Sequence, residues 1–173
     1  MQFPVYCQLD KENKIMNKCK FCQIINSNKN DEEVVFETEN FIVLTDKYRR
    51  TSVGAICLII PKMHYKNLLE IPKENGNELL EVIVIISKSM QNAYKCNGIR
   101  LWTAVNREAG QSIFHSHIHI LPCKSIKDRF IALFPGIYDL PRKILTFSNN
   151  RLNKKKNFEL AEKIRQEIDK INV

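Results

Sequence analysis

Short apolar runs separated by polar turns predict β-structure in the early part of this chain. Residues 34–37 and 41–46 are two such runs, and together they predict a hairpin that turns at residues 38–40. A longer apolar run over residues 54–60 predicts a third strand. Because only three residues join the first two strands, we expect them to pair antiparallel.

The pattern then changes to helical spacing. Apolar residues recur every three or four positions over residues 74–95, and Gly98 follows just beyond them. Two further runs, over residues 99–105 and 112–121, predict two more strands. The sequence therefore predicts an α+β fold, an antiparallel five-stranded sheet with a main helix on one face.

The two ends of the chain differ from this central region. Residues 1–18 carry no interpretable motif and are treated as an N-terminal extension. Residues 149–156 are basic and predict a linker, and residues 158–171 place their apolar side chains on one stripe of an amphipathic helix. The domain is thus expected over residues 19–123, with a C-terminal extension over residues 124–173.

Composition narrows the class of protein. The chain has 173 residues, 44% of them hydrophobic, which is enough for one domain with a core. It has no apolar stretch near 18 residues and no signal-peptide pattern, so we expect no membrane association and a cytoplasmic location. The net charge of +8 attracts polyanionic nucleotides. We expect the basic linker to be solvated rather than bound to nucleic acid, because no aromatic platform accompanies it.

The six cysteines form no dense disulfide framework and are expected to be thiols. Cys19 and Cys22 stand out, because Cys-x-x-Cys spacing can hold zinc from one tight turn. A tetrahedral site needs two more ligands, and His64 is the natural third. The alternative is a turn that binds nothing. A thioredoxin-like redox role is disfavoured, because we expect no suitable helix after the motif.

Three of the four histidines, His115, His117 and His119, occupy alternate positions in one apolar run. Side chains two apart on a strand share a face and lie about 7 Å from each other, which predicts a row of imidazoles. Ile118 and Ile120 would then point into a core. Groups that titrate near neutrality suit nucleophilic or acid–base chemistry, which we favour. A metal site on the row and a plain polar surface are the alternatives.

A polar loop precedes the imidazoles. Residues 106–112 read Asn-Arg-Glu-Ala-Gly-Gln-Ser and place amide and hydroxyl groups ahead of the row. A neutral imidazole can attack phosphorus when its other ring nitrogen is held by a hydrogen bond and nearby donors neutralise the phosphate oxygens. Such a loop alone is an ordinary turn. Next to three histidines it indicates a phosphate site.

With these motifs, the chain resembles the histidine triad family of nucleotide-binding hydrolases and transferases. Residues 115–121 match its signature of three alternating histidines followed by apolar residues, and the resemblance covers about residues 19–123. Members commonly carry Pro-Gly-His before the central strand, whereas residues 52–55 read Ser-Val-Gly-Ala. The phosphoramidase branch ends in a tryptophan-containing tail, whereas Trp102 is the only tryptophan here.

The resemblance implies a role for each matching residue. The middle histidine, His117, would be the nucleophile, and His115 and His119 would assist it by hydrogen bonding. The phosphates would be contacted by Asn106, Gln111 and Ser112. Asp46 would bind the ribose, and Phe41 and Ile42 would line the base pocket.

The resemblance also implies a metal and a partner. Longer bacterial members with an early Cys-x-x-Cys bind zinc, and the matching ligands are Cys19, Cys22, His64 and His115. Small members form homodimers through the main helix and a neighbouring strand, here residues 82–86 and 101–105. The alternative is a monomer with a larger core.

We therefore expect a nucleotidyl hydrolase or transferase that cleaves at the α-phosphate of adenylyl substrates through an intermediate on His117. Nucleoside phosphoramidates and dinucleoside polyphosphates both fit this expectation. The competing hypothesis is a nucleotide-binding or zinc-dependent interaction protein that keeps the fold with little turnover. A burst of released leaving group would separate the two.

Overall fold

The computed structural model of the protein describes residues 19–27, 33–46, 55–125, 128 and 154–171. The predicted N-terminal extension lies outside these ranges, as does the greater part of the predicted basic linker. Within the described ranges, no helix is both long and apolar enough to cross a membrane. The cytoplasmic location stays a prediction.

Five strands form one sheet in which every neighbouring pair is antiparallel. In chain order they are β1 (Val34–Glu37), β2 (Phe41–Thr45), β3 (Cys57–Pro61), β4 (Gly98–Trp102) and β5 (Ile118–Cys123). Their order across the sheet is β1-β2-β3-β5-β4, so β4 forms an edge of this described sheet. The predicted α+β fold with a five-stranded antiparallel sheet is confirmed.

The predicted hairpin is confirmed, with β1 and β2 on either side of residues 38–40. Thr38 closes the turn, because its backbone N–H donates to the Phe41 carbonyl at 2.9 Å and its hydroxyl oxygen accepts from the Phe41 N–H at 3.2 Å. Asn40 donates from its backbone N–H and from its side chain to the Glu78 carboxylate, at 2.9 and 2.7 Å. These bonds tie the hairpin to the main helix.

Three α-helices accompany the sheet, α1 (Lys20–Asn26), α2 (Gly76–Tyr94) and α3 (Lys154–Ile171). α2 is the predicted main helix. It ends at Tyr94, and the next residue, Lys95, has a φ of 49°, the left-handed conformation that glycine usually supplies after a helix. Gly98, placed by the sequence just beyond this helix, begins β4.

The two faces of the sheet pack against different helices, because side chains alternate in direction along each strand. On one face, Val43, Ile59 and Ile120 lie in a core with α2 and α3. On the other face, Leu44 and Leu121 belong to a smaller core that includes Phe21 of α1. The second face carries the candidate site.

The strand predicted over residues 112–121 is wrong in its first half, since β5 begins only at Ile118. The residues before it form a loop whose backbone bonds outside the sheet. The Ser116 N–H donates to the Tyr65 carbonyl at 2.6 Å, and this bond holds the loop against the segment that follows β3. His115 and His117 therefore lie on the loop and not on a strand.

Two other boundaries also differ from the prediction. The strand predicted over residues 99–105 ends at Trp102. The C-terminal helix begins at Lys154, inside the predicted linker, because lysine is a good helix former and continues the run of helical residues.

The apolar side chains of residues 82–86, which were expected to contribute to a dimer interface, are mostly buried in the core of this chain. Val82 and Ile86 are buried in the core that α2 shares with the sheet and α3. Val84 is the exposed member of the segment. The correction arises because α3 packs on α2, a contact that the pattern of α2 alone does not reveal.

Candidate active site and metal centre

Four metal-ligating side chains meet where α1 approaches the loop before β5. They are Cys19, Cys22, His64 and His115, and their ligand atoms all lie within 4.8 Å of one another. The Cys22 Sγ atom lies 3.1 Å from His64 Nδ1 and 3.5 Å from His115 Nδ1. A tetrahedral zinc site with bonds of about 2.0–2.3 Å separates its ligand atoms by about 3.3–3.8 Å. The four side chains could therefore bind a metal with little adjustment.

Further contacts orient the His115 ring and favour the thiolate form of Cys19, and both effects suit metal binding. His115 is fully buried, and its Nε2–H donates to the Pro61 carbonyl at 2.8 Å, so the lone pair is on Nδ1, the nitrogen beside the sulfurs. Metal-ligating histidines commonly carry such a hydrogen bond on their other nitrogen. Hydrogen bonds with Cys22, His115 and His64 hold the pKa of the Cys19 thiol far below its usual range, although burial opposes the shift. The thiolate is the form that binds metals.

The cysteine motif lies at the start of a helix. Cys19 is the N-cap residue of α1 and Cys22 lies in its first turn. Our expectation that no helix follows the motif is wrong, so the case for a metal rests on the two histidines beside the thiols. Phe21, between the two cysteines, lies with its ring centroid 5.2 Å from that of His117.

Hydrogen bonds to the ring and to the backbone of His117 fix the orientation of this residue. Its Nδ1–H donates to the His115 carbonyl at 2.7 Å, so Nε2 carries the lone pair. The Thr103 hydroxyl donates to the His117 carbonyl at 2.8 Å and fixes the loop against the segment after β4. Burial lowers the pKa of His117, although the bond to His115 opposes the shift. His117 is therefore expected to be a neutral imidazole with a nucleophilic Nε2 near neutral pH.

The third histidine, His119, lies on β5 directly opposite Trp102 of β4. The two rings are stacked with their planes 3° apart and their centroids at 4.4 Å. The His119 ring also lies 5.1 Å from that of His117, at 71°. The structure thus brings the three histidines together, but not as one row on a strand, because His115 turns towards the thiols.

Gln111 is placed differently from its predicted role. Its side chain is buried, its Oε1 accepts from the Asn106 N–H at 2.8 Å, and its Nε2 donates to the carbonyls of Lys66 and Ile113 at 2.6 and 3.0 Å. The Gln111 N–H also donates to the Asn106 carbonyl at 3.0 Å. Both N–H donors of the amide and one lone pair of its oxygen are engaged. Gln111 therefore closes the loop and is not free to contact a phosphate.

The closed loop requires an unusual backbone conformation at Asn106. Its φ of 67° and ψ of 169° lie in a region that glycine alone adopts readily, at a typical cost of about 1–3 kcal/mol for other residues. The Asn67 side chain donates to Asn106 Oδ1 at 3.4 Å. Asn106 and Ser112 are both exposed, at the two ends of the loop. Their side chains remain candidates for contact with a bound ligand.

The remaining predicted nucleotide contacts divide between the two faces of the sheet. Ile42 lies on the site face, and Asp46 follows β2 close enough for its charge to act on His117. Phe41 lies in the core on the opposite face, against the helices, and is 1% exposed. The structure therefore does not bring Phe41 to the triad.

Sequence reasoning missed several residues that build this site. Phe21 and Trp102 contact the imidazoles, and Thr103 holds the loop. The position of Trp102 could have been found by pairing the last two predicted strands, because residues that lie opposite each other on one face contact each other. Phe21 carried no such signal, since its contacts depend on how α1 packs.

The fold is thus a five-stranded antiparallel sheet with three clustered histidines beside a polar loop, two of them on the loop before β5 and one on β5 itself. Residues 27–126 match the HIT domain. This match covers more than half of the chain. The chain belongs to the HIT family, whose name denotes the histidine triad.

Individual relatives agree with this assignment. An uncharacterized HIT-like protein of Saccharolobus solfataricus is 34% identical over 104 residues, which are 60% of this chain and 73% of that protein. The adenylylsulfatase HINT3 of Arabidopsis thaliana is 31% identical over 110 residues, 64% of this chain and 54% of that protein. The crystal structure of a hypothetical histidine triad nucleotide-binding protein from Sulfolobus tokodaii is similar with a TM-score of 0.62 and 33% identity, covering 81% of this chain and 85% of that one.

Proposed function

We propose that the chain is a nucleotidyl hydrolase or transferase that uses His117 as its nucleophile. The observation that carries this proposal is the state of the His117 ring. Its Nδ1–H is held by the His115 carbonyl, its Nε2 carries the lone pair, and burial favours the neutral form. A nucleophilic histidine that attacks phosphorus needs this arrangement.

In the first step, His117 Nε2 attacks the α-phosphorus of an adenylyl substrate. A bond from nitrogen to phosphorus forms, and the bond from phosphorus to the leaving group breaks. The leaving group departs with the electron pair and takes up a proton. His119, whose ring lies beside that of His117, is the side chain we assign to that hydrogen bond or proton transfer.

In the second step, water or another acceptor attacks the phosphorus. The bond from phosphorus to Nε2 breaks, the electron pair returns to the ring, and the water gives a proton to His119 or to solvent, which replaces the proton taken up by the leaving group. Adenosine monophosphate is the product when water is the acceptor. His115 takes no direct part, because both of its ring nitrogens are engaged in the metal cluster and at Pro61. It acts instead through its backbone carbonyl on His117.

We further propose that Cys19, Cys22, His64 and His115 hold zinc. A zinc ion bound there would cross-link α1 to the loop that carries the nucleophile and so stabilise both. The donor set of two sulfurs and two imidazole nitrogens suits zinc, because zinc in structural sites commonly has four such ligands. The chemistry of the two steps needs only the protein's own side chains and water.

The nucleotide half of the substrate is assigned to residues on the site face of the sheet. Asp46 would bind the ribose hydroxyls, and Ile42 would contact the base. Asn106 and Ser112 would contact phosphate oxygens. The exposure of Asn106 and Ser112 and the effect of the Asp46 charge on His117 support this assignment. Adenylyl substrates are proposed because of the similarity to an adenylylsulfatase.

The proposal includes a homodimer. Among the described strands β4 lies at an edge, and its Leu101 is 45% exposed, while Leu80 and Val84 on α2 are 60% and 41% exposed. An edge strand with unpaired backbone groups is suited to pairing with a second copy. The exposed apolar side chains of β4 and α2 would lie in that interface.

A burst experiment tests the function. The chain is mixed in a stopped-flow instrument with a slight excess of an adenosine phosphoramidate that releases a fluorescent amine. An enzyme with a covalent intermediate releases up to one equivalent of amine per chain rapidly when the second step is slower. His117→Asn should give neither burst nor turnover. A wild-type chain that binds adenosine monophosphate but releases no amine would instead be a binding protein.

A further inference from the structure

The indole of Trp102 stacks in parallel on the imidazole of His119. Its centroid lies 4.4 Å from that of His119, with the planes only 3° apart. The contact follows from strand register, because the two residues lie directly opposite each other on β4 and β5. Opposed side chains on one face are only about 4.5–5.5 Å apart at their Cβ atoms. The stack is therefore part of the sheet.

The stack ends a continuous series of ring contacts. His64 contacts His115, which contacts Phe21, which contacts His117, and His117 contacts His119. The metal cluster lies at one end of this series and the edge strand at the other. An imidazole can turn about two side-chain bonds, and the parallel stack on Trp102 limits that rotation for His119. Aromatic pairs of this kind change a conformational equilibrium by about twofold to about tenfold.

We propose that Trp102 is a positioning residue that holds the His119 ring in the orientation needed at the leaving group. This role rests on the proposed function, because it concerns the first chemical step. Trp102 does not need to touch the substrate. Without the indole, His119 spends part of its time in other orientations, and the leaving group departs without its hydrogen bond during that time.

Two substitutions distinguish positioning from packing. Trp102→Phe keeps an aromatic ring opposite His119, whereas Trp102→Leu keeps only apolar volume. Ile99→Ala is the matched control, because Ile99 lies on the same strand but packs against the core on the α2 side. It should lower stability without disturbing the imidazoles. Thermal unfolding of all three variants checks that each is folded before its kinetics are measured.

Proton NMR measures the stack directly. Protons above the plane of an aromatic ring are shielded, so the His119 ring protons should resonate upfield in the wild-type chain. His119→Gln identifies these signals by removing them. The shift should be lost in Trp102→Leu, partly kept in Trp102→Phe and unchanged in Ile99→Ala. His119 signals that do not move in Trp102→Leu would overturn the proposal.

Kinetics complete the test. We expect Trp102→Leu to lower kcat on the order of tenfold while KM changes by less than about twofold, since only the reacting state depends on the orientation of His119. Trp102→Phe should restore most of the rate. A kcat for Trp102→Leu no lower than that of Ile99→Ala would overturn the positioning role and leave the proposed function standing. A wild-type chain without turnover would overturn both.

Discussion

Gln111 provides a sharp mutational test of how the loop before the triad is built. Its buried side-chain amide makes three hydrogen bonds, to Asn106, Lys66 and Ile113. We consider Gln111→Leu, which keeps a side chain of similar size and removes all three bonds. Each hydrogen bond contributes about 0.5–1.5 kcal/mol net, so the free energy of unfolding should fall by about 3 kcal/mol.

The measurement is urea denaturation at constant metal content. With a slope of about 2 kcal/mol per molar urea, a loss of about 3 kcal/mol lowers the midpoint by about 1.5 M. Gln91→Leu is the matched control, because the exposed contact of Gln91 is one bond from its Nε2 to the Asn97 carbonyl at 3.1 Å. That substitution should cost less than about 1 kcal/mol.

The result also separates the two roles considered for Gln111. If Gln111→Leu were as stable as Gln91→Leu and bound adenosine monophosphate much more weakly, Gln111 would be a phosphate ligand. The loop closure inferred from its hydrogen bonds would then be wrong. Loss of stability with nucleotide affinity reduced only in proportion to unfolding would support the structural role.

Three further predictions concern the metal, the ribose contact and the assembly. Elemental analysis should find one zinc per chain. Removing the zinc with a chelator should lower the melting temperature, because metal bonds formed only in the folded state add to stability. A metal-free chain of equal stability would contradict this prediction. Asp46→Ala should weaken all adenylyl substrates by a similar factor, since uniform contacts set affinity; a changed ranking of leaving groups with unchanged nucleotide affinity would exclude Asp46 as ribose ligand. Light scattering should give twice the chain mass of 20.3 kDa, and a single-chain mass at all micromolar concentrations would exclude the dimer.

Much of the fold could be predicted because its signals are local. The hairpin around residues 38–40 and the main helix follow from apolar runs, turn residues and spacing within a few positions. The four residues Cys19, Cys22, His64 and His115 also come together as the resemblance implied. The choice of candidate ligands in the sequence is small, because few residue types can bind zinc.

The two main errors have different causes, one long-range and one local. The strand before Ile118 is interrupted because His115 turns to the thiols and Ser116 bonds to Tyr65, which lies far away in sequence. Phe41 was assigned to the base pocket together with Ile42, but adjacent strand residues point to opposite faces, so only one of them can lie on the site face. The contacts of His115 and Ser116 are not contained in local patterns, whereas the alternation along β2 alone already separates Phe41 from Ile42.

The most direct test of the proposed function is to find the adenylyl group on His117. The chain is quenched in alkali during turnover of an adenosine phosphoramidate, because a phosphorus–nitrogen bond survives base and is lost in mild acid. Peptides are then analysed by mass spectrometry, with His117→Asn as the control. We predict an acid-labile adenylyl group on the peptide that contains residues 115–119, assigned by fragmentation to His117 and absent from the variant. An unmodified His117 in chains that are turning over substrate, or an adenylyl group on another residue, would contradict the proposal.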